Sequence, residues 1–147
     1  MSKLSAPLTC LTAGGLGIVY AGLQMRVGLH RLNTGIKFGT KSEDSNAEDE
    51  ALTAKSRAGG NMQEYLPLGL VTMLLLETAT PLSKKAVAAF GAVFALSRLS
   101  AAYAIANTYT PGFNAVPGRK YGFLGTVAAL LAAGAYLSFH AVQTLRK

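Results

Sequence analysis

The sequence predicts an all-α integral membrane protein built as one four-helix bundle, on three observations. Half of the 147 residues are hydrophobic and only 14% are charged, where a soluble domain carries about 25%. The charges cluster and leave four apolar windows, each near the roughly 20 residues that cross a bilayer as a helix. Nothing alternates at the short, even spacing that a transmembrane β-barrel requires. Backbone groups in lipid must be paired internally, so helices are the natural solution.

The first window covers about residues 4–25 and ends in QMRVGLHR. A cleaved signal peptide wants small residues at that point, so this reads as a retained span. The second covers about 57–80, opening with RAGGNMQEYLPLGLV and closed by Pro81. The third covers about 86–107 and the fourth about 120–142; both are rich in small residues, as in AVAAFGAVFALSRLSAAYAIA and GTVAALLAAGAY. Small residues four apart, such as Ala102 with Ala106 and Ala129 with Ala133, let helices approach closely. No repeat or second domain interrupts residues 1–147.

The connections differ. The first, about 26–56, holds the charge run KSEDSNAEDE and reads as a solvated loop. The second, PLSKK, is a tight turn, and the third, TYTPGFNAVPGRK, is a Pro/Gly reversal. Loops one and three together carry eight Lys and Arg, against five on the other side (Lys3, Lys84, Lys85, Arg146 and Lys147). The positive-inside rule therefore places those two loops inside and both termini opposite.

Net charge is +7, but Lys and Arg flank the apolar runs instead of forming a basic stripe interleaved with aromatics. That pattern excludes nucleic acid and points to lipid headgroups and anionic small molecules. Cys10 is the only cysteine, so no intrachain disulfide forms. His30 and His140 have no carboxylate or thiol at ligand spacing, so no metal site is expected. Residues 1–42 lack acids, which is compatible with an organellar transit segment.

The chemistry concentrates at the start of the second window. On a helix Arg57, Asn61 and Glu64 share one face, with Tyr65 adjacent. Glu64 should turn into the bundle or a water-lined cavity, because a carboxylate facing lipid is costly. Arg57 either pairs with Glu64 through Asn61 or serves a ligand. Arg98 interrupts the third window and should find Glu64 or another acceptor inside the bundle. Arg26 and Arg119 fall toward the same side, so four arginines meet one intramembrane acid. Excess cations of this kind suit a carboxylate-bearing ligand gripped bidentately, unless the loop acids at 43–50 offset them. Glu77, at the other end of the second window, reads as a boundary residue.

These residues resemble the membrane-associated proteins in eicosanoid and glutathione metabolism (the MAPEG family), in its bacterial-type branch. RAGGNMQEYLPL, with the pattern R-x3-N-x2-E-Y-x-P, is similar to the family's second-helix signature. LQMRVGLHRLNTGIKFG, LLLETATP and GRKYGFLGT resemble its first-helix exit, second-helix end and fourth-helix start. The resemblance implies a MAPEG-like homotrimer, multi-pass with four spans, with glutathione bound between subunits. Its membrane would be a bacterial inner membrane or a eukaryotic organelle membrane. It further implies an activity like that of microsomal glutathione transferases, a transferase or peroxidase acting on hydrophobic electrophiles. On that resemblance Arg26, Arg57, Asn61, Glu64, Tyr65 and Arg98 would contact glutathione. Arg119 would be catalytic, stabilising the thiolate that a thiol must become before it attacks.

The sequence also departs from the family. Many catalytic members carry Tyr or His three residues after the helix-three arginine, and Tyr seven residues after it. Here those positions are Ala101 and Ile105; Tyr103 lies off that face, and Tyr109 lies on it at the helix end. The departures favour an alternative, a non-catalytic MAPEG-fold subunit of a larger membrane complex, binding lipid or serving packing only. A transporter would want broken helices or polar residues at mid-membrane, and Arg98 alone does not make that case.

Overall fold

In the computed structural model, which describes residues 5–42 and 46–146, four helices account for nearly all the regular structure. They are α1 (Pro7–Thr34), α2 (Glu50–Thr78), α3 (Lys84–Ala106) and α4 (Val116–Leu145). Helix α3 packs most extensively on α4, then on α2; α1 lies against α2 and more lightly on α3. Among the described residues α1 and α4 make no contact. Of the basic residues counted for orientation, Lys3 and Lys147 lie outside the described residues, as do the acids Glu43 and Asp44.

Each helix end has a local cause. Helix α1 continues well past the predicted end near residue 25, because no breaker intervenes before Gly35. That glycine takes the left-handed φ of 74° at the C-cap and donates its N–H to the Arg31 carbonyl. Part of the predicted charged loop is helix as well. Asp49 caps α2 by accepting from the Leu52 N–H at 2.8 Å, and Glu50 stands in the first turn, where the helix dipole favours an acid. Ser83 caps α3, and Pro117 opens α4 in the first turn, where a missing N–H costs nothing.

Helix α1 has no capping side chain of its own, since Ala6 occupies that position. Glu77 of α2 supplies one. Its carboxylate accepts from the Leu8 N–H at 2.9 Å, and from the Thr9 N–H and hydroxyl at 2.7 Å each. The expected boundary residue is thus the clasp that fastens the start of α1 to the end of α2. At the opposite end His30 of α1 meets Asp49 at 2.7 Å through Nε2, and Lys55 of α2 meets its Nδ1 at 2.6 Å. A lysine ammonium can only donate, so this imidazole accepts at Nδ1 and donates from Nε2. His30 therefore does find a carboxylate, which sequence spacing did not reveal; among the described residues no three potential ligands gather to hold a metal. Between the clasps α1 is lightly packed, with only Thr9 and Leu16 buried.

The tightest packing joins α3 to α4. A Cβ on Gly122 would lie 2.7 Å from the Ser97 carbonyl oxygen, 2.8 Å from the Ala101 nitrogen and 2.9 Å from the Ala101 Cβ. The two backbones therefore meet at Gly122, with Ala101 buried against it. Between α2 and α3 the fully buried Phe94 ring occupies the space a Gly69 side chain would take. Of the expected alanine pairs, Ala102 and Ala133 are buried and Ala106 and Ala129 half-buried.

Helices α1, α3 and α4 are each long and apolar enough to cross a membrane. Much of their surface is exposed aliphatic and aromatic side chain, including Ile18, Leu96 and Leu131. That suits an integral membrane protein whose solvent on those faces is lipid.

Candidate functional site

The site lies at the end of the bundle where α2 and α4 begin and α3 ends. Sequence places Arg57, Asn61 and Glu64 one turn apart, and α2 is helical throughout that stretch, so they share a face. Gly60 on the same face keeps the surface open between them. Together with Ser56, Ile105 of α3 and Arg119 of α4, they line a cavity of about 470 Å³. Arg119 reaches it from the first turn of α4, and Ile105 from the last turn of α3.

The charges in this cavity have no partners of their own. Arg57, Glu64 and Arg119 are exposed, and none of them forms a salt bridge with a described residue; the acid–base contact among the described residues is the hydrogen bond of His30 to Asp49. The pairing of Arg57 with Glu64 through Asn61, one of the two alternatives, does not form; the Asn61 oxygen instead accepts from Arg98. The Ser56 hydroxyl is the sole buried side-chain polar atom without a hydrogen bond among the described residues; the residue borders the cavity, with the hydroxyl itself buried.

Beneath the cavity lies Arg98, only 1% exposed. Its Nε donates to Thr126 Oγ1 at 2.8 Å, Nη1 to Asn61 Oδ1 at 3.1 Å, and Nη2 to the Gly122 carbonyl at 3.0 Å. Its guanidinium carbon sits 4.3 Å from the centre of the Tyr65 ring. One buried cation thus ties α2, α3 and α4 together beneath the cavity. It finds acceptors inside the bundle, but Glu64 is not among them. Every acceptor is neutral, so the positive charge stands uncompensated behind Asn61.

Of the seven residues singled out from sequence, the cavity gathers Arg57, Asn61, Glu64 and Arg119. Arg98 and Tyr65 support it from below instead of lining it. Arg26 is not brought to it. The extended α1 carries Arg26 well inside the helix and leaves it exposed, and α1 contributes no residue to the cavity wall. Tyr109 falls in the turn beyond α3 and is exposed, while the Tyr103 ring packs edge-on to Phe113 at 5.6 Å.

The two departures from the family now have different meanings. Ala101 faces Gly122, not the cavity, and an aromatic ring there would run into the α4 backbone. Ile105 does line the cavity, and an apolar side chain stands where a phenol would otherwise be. Sequence reasoning missed Thr126, Gly122 and Ser56. The GFLGT run, which begins in the second turn of α4, held the signal for the first two, a glycine and a threonine four apart on the face toward Arg98.

Four helices, three of them fit to cross a membrane, carry an arginine-rich polar site at one end of the bundle. None of the curated proteins compared matches this chain. The model of the MAPEG family matches residues 9–139, which takes in all of the site and most of every helix, and the chain belongs to that family.

Proposed function

We propose that this protein is a glutathione-dependent membrane transferase or peroxidase acting on hydrophobic electrophiles. Glutathione would occupy the cavity at a subunit interface of a homotrimer in which all four helices span the bilayer. The observation that carries the reading is the set of groups around about 470 Å³: two guanidiniums and a carboxylate without partners, and an amide whose oxygen is held by Arg98. Glutathione offers two carboxylates, an α-ammonium and a thiol, a complement in sign. Arg57 and Asn61 supply donors for carboxylate oxygens, and Glu64 supplies an acceptor for the ammonium. When bound, glutathione contributes the sulfur nucleophile. Arg119 holds positive charge where that sulfur would lie, which favours the thiolate at neutral pH. The exposure of Arg57 and Glu64 in one subunit fits a face that a neighbouring copy covers.

Purified protein in detergent should conjugate glutathione to a model electrophile, and Arg119→Ala should remove most of that activity. Because Arg119 is exposed and makes no hydrogen bond through its side chain, the variant should fold normally. Absence of both glutathione binding and conjugation, in detergent and in liposomes, would defeat the proposal.

The second reading is a non-catalytic MAPEG-fold subunit of a larger membrane complex, with the polar face holding a lipid headgroup or serving packing alone. Ile105 in the cavity wall favours it, because no phenol is available there to assist chemistry. Co-purification with partners in fixed ratio would support this reading, and an isolated trimer would count against it.

A further inference from the structure

Arg98, Asn61 and Thr126 form a chain of hydrogen bonds whose directions follow from donor chemistry alone. A guanidinium has five N–H donors and no acceptor, so the atom of Asn61 that faces Arg98 must be Oδ1. The Asn61 amide can then offer only its nitrogen, with N–H donors, to the cavity it lines. Thr126 is what fixes the guanidinium. Its hydroxyl accepts from Arg98 Nε at 2.8 Å and donates to the Gly122 carbonyl at 2.8 Å. That same carbonyl also accepts from Arg98 Nη2. With Nε and Nη2 pinned and one face of the guanidinium on Tyr65, Nη1 is left aimed at Asn61.

We infer that Thr126 is a positioning residue for the cavity: acting through Arg98, it orients Asn61 to donate to an anionic oxygen of the ligand. Thr126 is itself fully buried and does not line the cavity. The uncompensated charge of Arg98, one residue behind Asn61, adds to the preference for a carboxylate at that point. The inference rests on the proposed glutathione site for the identity of the ligand, but not for the orientation of the amide.

The test combines glutathione binding with melting temperature in detergent, on the full chain. Thr126→Val keeps shape and removes the hydroxyl, and should weaken glutathione binding about tenfold, as expected for loss of a hydrogen bond that orients a charged group. Thr126→Ser restores the hydroxyl and should bind within about twofold of wild type. Because Thr126 acts through Asn61, adding Thr126→Val to Asn61→Ala should not weaken binding further. A purely structural role would make the two losses multiply, and that result would overturn the inference.

Asn61→Asp keeps an oxygen toward Arg98 while removing the outward donor. It should melt at or above the wild-type temperature and bind glutathione at least about tenfold more weakly. Wild-type affinity in Asn61→Asp would show that the amide does not point as inferred. If wild-type protein binds no glutathione, the proposed function fails. The two failures are distinct, because the positioning inference fails when wild type binds glutathione and Thr126→Val binds it equally well.

Discussion

Gly122→Ala tests whether the site depends on the close approach of α3 and α4. The added methyl would lie 2.7 Å from the Ser97 carbonyl oxygen and 2.8 Å from the Ala101 nitrogen. Both are backbone atoms and cannot rotate away, so α4 itself must move. Overpacking of this kind costs about 1–3 kcal/mol. Replacing a helical glycine with alanine also brings a gain of up to about 1 kcal/mol, which would blur the result. Gly134→Ala provides the correction, because it lies on the same helix with nothing within 4 Å of its added Cβ. The propensity gain is common to both variants and cancels, so their stabilities should differ by about 1–3 kcal/mol. Ala101→Gly should not rescue Gly122→Ala, since two of the three clashes are with backbone. The consequence should reach function as well. The Gly122 carbonyl is an acceptor for Arg98, and Arg119 stands three residues away on the same helix. A misplacement of about 1 Å at a reacting group can cost on the order of 100-fold in rate. Thermal unfolding in detergent and glutathione conjugation are the assays. Equal stability of Gly122→Ala and Gly134→Ala would refute the packing argument and, with it, the reason Ala101 cannot be aromatic.

Ile105→Tyr should place a phenol in the cavity and raise conjugation activity, whereas Ala101→Tyr should destabilise the protein without adding activity; steady-state rates on both variants decide this. Glu77→Ala should leave two backbone N–H groups of α1 unpaired and cost about 1.5–3 kcal/mol, as for hydrogen bonds to a charged group. Hydrogen exchange confined to the first turns of α1 would report it, and unchanged protection there would contradict the clasp. The hydrogen bond to His30, and after it that from the Leu52 N–H, holds the Asp49 carboxyl below its ordinary value of 3.8. A depressed carboxyl contributes stability above its unfolded value, and that contribution is lost as pH falls through the lower folded value. Wild type should therefore exceed Asp49→Asn in stability near neutral pH, with the gap closing only in acid; a gap that stays constant with pH would exclude the Asp49 carboxylate as its source.

Much of the fold is legible in the sequence because lipid leaves the chain few choices. Apolar windows near the length of a bilayer span must be helices, and Pro81 and the TYTPGFNAVPGRK reversal mark where they break. The helix ends were harder to read, since they depend on caps. Asp49 looked like one more loop acid until its position before Leu52 made it an N-cap, and Gly35 ended α1 where hydropathy alone would have stopped it earlier. Within the site, the spacing of Arg57, Asn61 and Glu64 revealed a shared face, because helical periodicity is local. Their partners were not legible. Which of several acceptors Arg98 meets depends on how closely α3 and α4 approach, and that is set by Gly122. Arg26 shows the opposite failure: proximity to a helix end in sequence did not make it part of the cavity once the helix ran on.

The two clasps on α1 also measure length. From Thr9 to His30 the helix rises about 32 Å, and from Lys55 to Glu77 α2 rises about 33 Å, at about 1.5 Å per residue. Both distances sit close to the roughly 30 Å hydrocarbon thickness of a bilayer. The polar fastenings are therefore spaced by about the thickness of a membrane's hydrocarbon core. The pair acts as a ruler and sets the register between antiparallel helices whose apolar faces would slide past one another at little cost. Removing a single residue from the middle of α1 would turn one end by about 100° relative to the other, so only one clasp could close at a time.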